Sequence, residues 1–183
     1  MTIDRLPDAA RRLVRKYLQR LDLSIDDLWV TADRNEFQRW LGRRVSASIG
    51  GAYVFLPLPQ KHAVLINLER IDLDQPRALE IVIAEELIHM RDWIDGDRRG
   101  HARHGYDRIA TRVVDITGAT FEEVRSPLLP VERRPWRYVY GCAACGLLIP
   151  RRRKGGWSCP RCAPRFDRRY QLEIVEYLGR DGH

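Results

Sequence analysis

Residues 76–94, PRALEIVIAEELIHMRDWI, read as one helix, and the rest of the chain must pack around it. Pro76 suits a first helical turn. Ile81, Val82, Leu87, Ile88 and their neighbours leave little room for a polar face, so the helix is expected to be largely buried. Within it stands AEELIHM, residues 84–90. Glu85 and His89 are one turn apart on the same face, so both can reach one ion. A glutamate carboxylate extends about as far from the backbone as an imidazole nitrogen, whereas an aspartate would fall short. Glu86 sits about 100° further round the helix. There a carboxylate can contact a metal-bound water without ligating the ion. A two-histidine, one-carboxylate set is a proven zinc arrangement and also suits Fe²⁺ or Mn²⁺. A Glu-Glu pair on a helix is more usually a solvated face; the apolar surroundings argue for the metal.

A third ligand must come from elsewhere. The polar segment DGDRRGHAR follows, and Asp95, His101 and His104 are the candidates. His104 stands where the next helix is expected to start, and Gly105 behind it permits close packing of the two helices. His101, in an Arg/Gly loop, reads as solvated.

Upstream, the segment after Pro7 places Leu13, Val14, Tyr17, Leu18 and Leu21 on one face of an amphipathic helix. LWVTA (28–32) is β-prone. VSASI and AYVFL flank Gly50-Gly51 and predict a hairpin. AVLINLERI alternates at Val64, Ile66 and Leu68, the pattern of a strand. Downstream, a helix is expected from His104 to Gly118, then a proline-rich linker, RSPLLPVERRP, then a cysteine-bearing segment and a last strand-like stretch, YQLEIVEYL. The order implies an α+β domain over residues 1–125, a linker over 126–137 and an appendage over 138–183.

GCAACG (141–146) and SCPRCA (158–163) are two Cys-x-x-Cys knuckles with 13 residues between them. Four thiolates in a tetrahedral array suit Zn²⁺, and a closed shell leaves no position for catalysis. Cys142, Cys145, Cys159 and Cys162 therefore predict a structural zinc ribbon rather than redox-active dithiols.

The chain of 183 residues carries a net charge of +7, unevenly spread. Residues 1–124 hold 19 Lys/Arg against 20 Asp/Glu, and residues 125–183 hold 13 against 5. The excess points to a polyanionic partner for the C-terminal part. Arg151, Arg152, Arg153, Lys154, Arg165, Arg168 and Arg169 are the candidate phosphate contacts, interleaved with Trp136, Tyr138, Tyr140 and Trp157 as candidate base-stacking rings. Packing of the small ribbon is the plainer use of those rings. No apolar run approaches the roughly 18 residues of a membrane span, and MTIDRLPDAARR has no secretory core. A cytoplasmic, DNA- or nucleoid-associated protein with no membrane partner is expected.

Together these residues resemble the SprT-like (Spartan-like) zinc metallopeptidases, which carry His-Glu-x-x-His on one helix, a polar loop, a Gly-His-Gly-type third ligand and, in many members, a Cys₄ ribbon. The match lies at Glu86, at His89, at His104-Gly105 and in the order of domain and ribbon, over roughly residues 10–165; Glu85 replaces the first histidine. The resemblance implies a zincin-like metallopeptidase domain acting on proteins at or near DNA. It implies metal ligands at Glu85, His89 and His104 and a general base at Glu86. The alternative is a catalytically inactive scaffold that serves as a zinc-ribbon nucleic-acid-binding protein.

Overall fold

The computed structural model describes residues 2–97, 108–131 and 135–178. The chain forms two compact units, Met1–Pro130 and Val131–His183, each with its own sheet. No helix among the described residues is long and apolar enough to cross a membrane.

In the first unit, helix α1 (Asp8–Arg20) buries Ala10, Val14, Tyr17 and Leu18, one stripe at helical spacing. Strand β1 (Leu28–Thr31) leads into helix α2 (Arg34–Leu41). The Asp33 carboxylate starts α2 by accepting the Asn35 N–H at 2.7 Å. Gly42 ends it at φ +64°, which glycine adopts without strain. Strands β2 (Gly51–Leu56) and β3 (Lys61–Ile66) pair antiparallel, and β1 lies parallel to β3 on its other side. The sheet order is β1-β3-β2.

The hairpin expected across Gly50-Gly51 does not form. Residues 45–49 are irregular, and AYVFL pairs with the segment that follows it. VSASI offers only Val45 and Ile49 to a core, too little to form one side of a sheet. The Asn67 side chain instead holds the Ile49 carbonyl at 2.8 Å, and its N–H holds that of Gly50 at 2.7 Å. β3 is buried at every position from His62 to Ile66, not at alternate ones, because it is the central strand. Val64 and Ile66 face α1 and the helix α3 (Ala78–Ile94); Ala63 and Leu65 pack with Phe37 of α2.

α3 begins at Ala78, two residues after Pro76, because Arg77 stands at φ +66°. It lies between two apolar clusters. Val82, Ile83, Leu87 and Met90 join the core under the sheet. Ile81 and Ile88 join Ile109 and Val113 of α4 (Arg108–Thr117) and Val124 of α5 (Phe121–Arg125). Each such side chain contributes about 1.5–3 kcal/mol on burial. α5 starts with a capping box between Thr120 and Glu123. The expected beginning of α4 at His104 lies outside the described residues; its end at Gly118, φ +70°, is where the sequence placed it.

The second unit is a three-stranded antiparallel sheet, order β5-β4-β6, from β4 (Tyr138–Gly141), β5 (Leu148–Arg151) and β6 (Glu173–Tyr177). The molecule is thus a mixed α+β chain with two small sheets.

Burying α3 on both sides brings two carboxylates inside, Glu86 and Asp92. Asp92 is matched by Arg108 at 2.7 Å and by Arg112, both from α4. Replacing Asp92 with Ala would take the carboxylate from Arg112 and leave Arg108 with Asp97, 3.0 Å away. The arginines are about one-third exposed, so the expected loss is about 1–3 kcal/mol rather than that of a fully buried pair. A urea midpoint that does not move would show that α4 is held by its apolar contacts alone.

Candidate functional site

The four cysteines form one centre. The first knuckle turns β4 into β5: the Gly146 N–H donates to the Cys142 carbonyl at 2.9 Å, with Gly146 at φ +70°. The second is closed by the Ala163 N–H on the Cys159 carbonyl at 3.0 Å. All four sulfurs lie within 4.8 Å of one another, with Cys142 Sγ to Cys162 Sγ at 3.8 Å and Cys145 Sγ to Cys159 Sγ at 3.6 Å. A tetrahedron with Zn–S bonds of about 2.3 Å has sulfur–sulfur edges of about 3.8 Å, whereas a disulfide holds its sulfurs about 2.05 Å apart. The four cysteines are positioned to bind a metal ion, and the spacing suits zinc.

The thiols also influence one another. Burial opposes ionisation of Cys159. The Cys162 and Arg161 N–H groups and the Cys145 and Cys142 thiols outweigh it and bring Cys159 down to about 7. Cys162 is pushed up to about 12, first by its hydrogen bond with Cys145 and then by burial. One sulfur ionises readily while its neighbour holds a proton, a mismatch that a dication at the centre removes.

The first unit holds a cleft of about 560 Å³ between β2 and α3, whose lining includes Gly51, Tyr53, Phe55, Glu86, His89 and Trp93. Successive inward positions of β2 meet successive turns of α3. Gly51 lies against Glu86: a Cβ at Gly51 would stand 2.4 Å from Glu86 Oε1 and 2.8 Å from its Cγ. Phe55 stacks on Trp93 at 5.1 Å between centroids. The Glu86 carboxyl is pushed well above its ordinary range, first by burial and then by the negative charge of Glu85; the Tyr53 backbone N–H, which it accepts, works the other way.

Glu86 and His89 thus share one cleft. Glu85, one turn before His89 on α3, is half-buried and does not line that cleft. Asp95 is held by Arg91 at 3.0 Å at the end of α3. His101 and His104 lie outside the described residues. Among the described residues the four cysteines are the one cluster of three or more His, Cys, Asp or Glu spaced to hold an ion.

Two contributors escaped the sequence reading. Gly51 was read as a turn residue, yet it makes room for Glu86. Tyr53 supplies the backbone donor to Glu86, and its hydroxyl meets Nδ1 of the buried His62 at 2.9 Å. The alternation Gly51, Tyr53, Phe55 toward one face was the available signal.

In the second unit the predicted phosphate contacts divide into two groups. Arg152 lies over Trp136 at 3.5 Å, Arg151 over Trp157 at 4.9 Å, and Lys154 beside Tyr138 and Tyr177 at 5.8 and 5.5 Å. Arg169 is engaged with Asp167 at 2.8 Å. The side chains of Arg153, Arg165 and Arg168 are exposed and make no hydrogen bond, ion pair or ring contact with any described residue.

Two outcomes follow from this geometry. Chelation, or Cys159→Ser, should remove one metal ion per chain and unfold the second unit, read by elemental analysis and tyrosine and tryptophan fluorescence; a ribbon that stays folded without metal would make the cysteines merely packed thiols. Burial holds His62 below its ordinary value of 6.5, against the pull of Asp27. Between that lowered value and 6.5 the unfolded chain binds more protons. Stability should therefore fall as pH drops through that window and level off below it, and His62→Gln should flatten the decline. Equal pH profiles of the urea midpoint for both proteins would assign the acid loss to other groups.

No protein-family model matches the chain, and neither a curated protein nor a solved structure matches it.

Proposed function

We propose that the protein is an SprT-like metal-dependent peptidase that acts on proteins at or near DNA. The observation that carries this reading is the pairing of Glu86 and His89 in one cleft beneath strand β2. The resemblance of Glu86, His89 and His104-Gly105 to the family motif supports it.

A Zn²⁺ ion, or Fe²⁺ or Mn²⁺ in its place, held by Glu85, His89 and His104 would polarise the scissile carbonyl and make a nearby water more acidic. The Glu86 carboxylate then takes a proton from the attacking water and returns it to the leaving amine. Burial and the charge of Glu85 raise the affinity of Glu86 for a proton, which favours taking one up from the water. Gly51 and the Tyr53 N–H fix where that carboxyl stands. Among the described residues β2 has one strand neighbour, β3, so its other edge can pair with an extended peptide beside the cleft. An anionic ligand at position 85 leaves the ion a weaker Lewis acid than three imidazoles would, so slow turnover is expected. The ribbon, through Arg153, Arg165, Arg168 and the ring-stacked Arg151, Arg152 and Lys154, with Arg169, would hold nucleic acid, DNA first among the candidates.

One observation favours a second reading. Glu85 does not line the cleft that Glu86 and His89 line, as expected of a catalytically inactive scaffold whose ribbon alone binds nucleic acid.

Metal content and peptide hydrolysis, measured on the parent, Glu86→Gln, Glu85→Ala and Glu85→His, separate the two. The peptidase reading expects a second ion in the parent beside the ribbon's zinc. Glu86→Gln should keep both ions and lose hydrolysis by at least about 100-fold. Glu85→Ala should lose the second ion, and Glu85→His should keep it. A single ion in every protein, with no hydrolysis, leaves the scaffold reading.

A further inference from the structure

The first unit carries no excess of positive charge, yet its charges are not evenly engaged. Asp8 meets Arg11, Glu80 meets Lys16, Asp27 meets Lys61, Asp95 meets Arg91, and Asp92 meets Arg108 and Arg112. Around α2 the balance differs. Residues 34–44, RNEFQRWLGRR, hold four arginines and one acid. That acid, Glu36, is engaged: it accepts from the Thr31 hydroxyl at 2.6 Å and from Arg5 at 3.0 Å. The side chains of Arg34, Arg39, Arg43 and Arg44 make no hydrogen bond, ion pair or ring contact with any described residue.

The four are contiguous on the surface. Arg34 and Arg39 line one depression together with Arg5, Asp33, Glu36 and Glu69, and Arg39, Arg43 and Arg44 line the next, whose lining holds no acid, so the unanswered charge is centred on these last three. Arg39, Arg43 and Arg44 are exposed. Arg43 and Arg44 follow the C-terminal end of α2, whose dipole offers about half a negative charge. That is enough to make the position comfortable and too little to neutralise three guanidinium groups. Arg34 and Arg39 are five residues apart on α2, about 7.5 Å along its axis and about 140° round it, and Arg43 and Arg44 follow the turn at Gly42. Asn35 and Gln38 add side-chain amides between the arginines. Guanidinium groups spaced over such a distance match successive phosphates of a backbone better than a single small anion.

We propose that the α2 face of the first unit is a second nucleic-acid-binding surface, in which Arg34, Arg39, Arg43 and Arg44 contact backbone phosphates independently of the ribbon. These contacts carry no base recognition, so binding there is insensitive to sequence and strongly sensitive to salt.

The test is fluorescence anisotropy of a labelled mixed-sequence DNA duplex over a salt series, using the full chain. Changing Arg34, Arg39, Arg43 and Arg44 together to Ala should weaken binding and flatten the log K against log salt slope by about 2–4, at about 0.9 per lost phosphate contact. The same four changed to Lys should retain most of the slope, and Arg43→Glu with Arg44→Glu gives a smaller variant that leaves α2 itself untouched. A control with Arg11, Arg12, Arg15 and Arg20 of α1 changed to Gln removes equal charge elsewhere and should leave the slope near that of the parent. An unchanged slope in the α2 variants overturns the proposal. So does an equal loss in the α1 control, which would make the effect one of net charge. Complete loss of binding on neutralising Arg151 to Lys154 alone would place every contact in the ribbon. Binding of the parent to phosphatidylserine vesicles but not to DNA, lost in the α2 variants, would assign the face to a membrane surface instead.

Discussion

The first unit depends on α3 being covered on both sides. A surface helix tolerates a carboxylate anywhere on its polar face; a helix between two apolar clusters tolerates one only where something answers it. α3 carries two such groups, and each is answered from a different direction. Asp92 is met by arginines of α4. Glu86 is met by β2, where Gly51 leaves the space and Tyr53 supplies an N–H. The helix is thereby held in register with the sheet and with α4 at once. A shift of one residue along α3 turns the helix by about 100° and would take both carboxylates away from those partners. The cleft is a consequence of this register, since the same contacts that satisfy Glu86 place His89 and Trp93 beside it.

The second unit is built on the opposite logic. Its buried set is Tyr140, Leu172 and two of the cysteines, with the remaining apolar side chains only partly covered. Leu148, Phe166, Val175 and Tyr177 stay exposed. So small an apolar core does not offset the chain entropy of a three-stranded sheet. The four-sulfur centre lies where both knuckles converge, and metal–thiolate bonds there would act as folding energy. One unit thus gains its shape from burial, while the other is built around a set of ligands.

These two origins decide what could be read in advance. The cysteine spacing alone placed the four sulfurs, because ligand geometry is local and two residues between cysteines nearly determine the turn. α1, α3 and the end of α4 at Gly118 were legible for a similar reason: apolar spacing and a glycine stop act within a few turns. The hairpin was misplaced because the Gly50-Gly51 signal is also local, whereas the choice of partner for AYVFL depends on which neighbour can be buried on both faces. His62–Ile66 can; VSASI cannot. α2 went unread because eight residues with Phe37 as their one buried side chain show too little periodicity. Its cap at Asp33 and stop at Gly42 were the only signs. In the cleft, Glu86 and His89 were legible from helical spacing. Gly51 and Tyr53 were not, because their part depends on how β2 lies against α3.

Charge shows the same divide between what is counted and what is placed. By segment totals the positive excess belongs to residues 125–183, and several of those cations lie over aromatic rings or beside Asp167. The N-terminal segment counts as nearly neutral, but a total says nothing of pairing. Asp8, Glu80, Asp95 and Asp92 are drawn into ion pairs on α1, α3 and α4, while Arg39, Arg43 and Arg44 line a depression that no acid lines. What a polyanion meets is the unpaired charge on a surface, since a guanidinium already bridged to a carboxylate has little field left at a phosphate's distance. On that measure the neutral half of the chain presents a denser basic face than its composition suggests. The second unit's stacked cations differ in kind, because a ring beneath a guanidinium orients it without neutralising its charge; on the proposed reading one face would meet phosphate through loose side chains and the other through a pre-set plane.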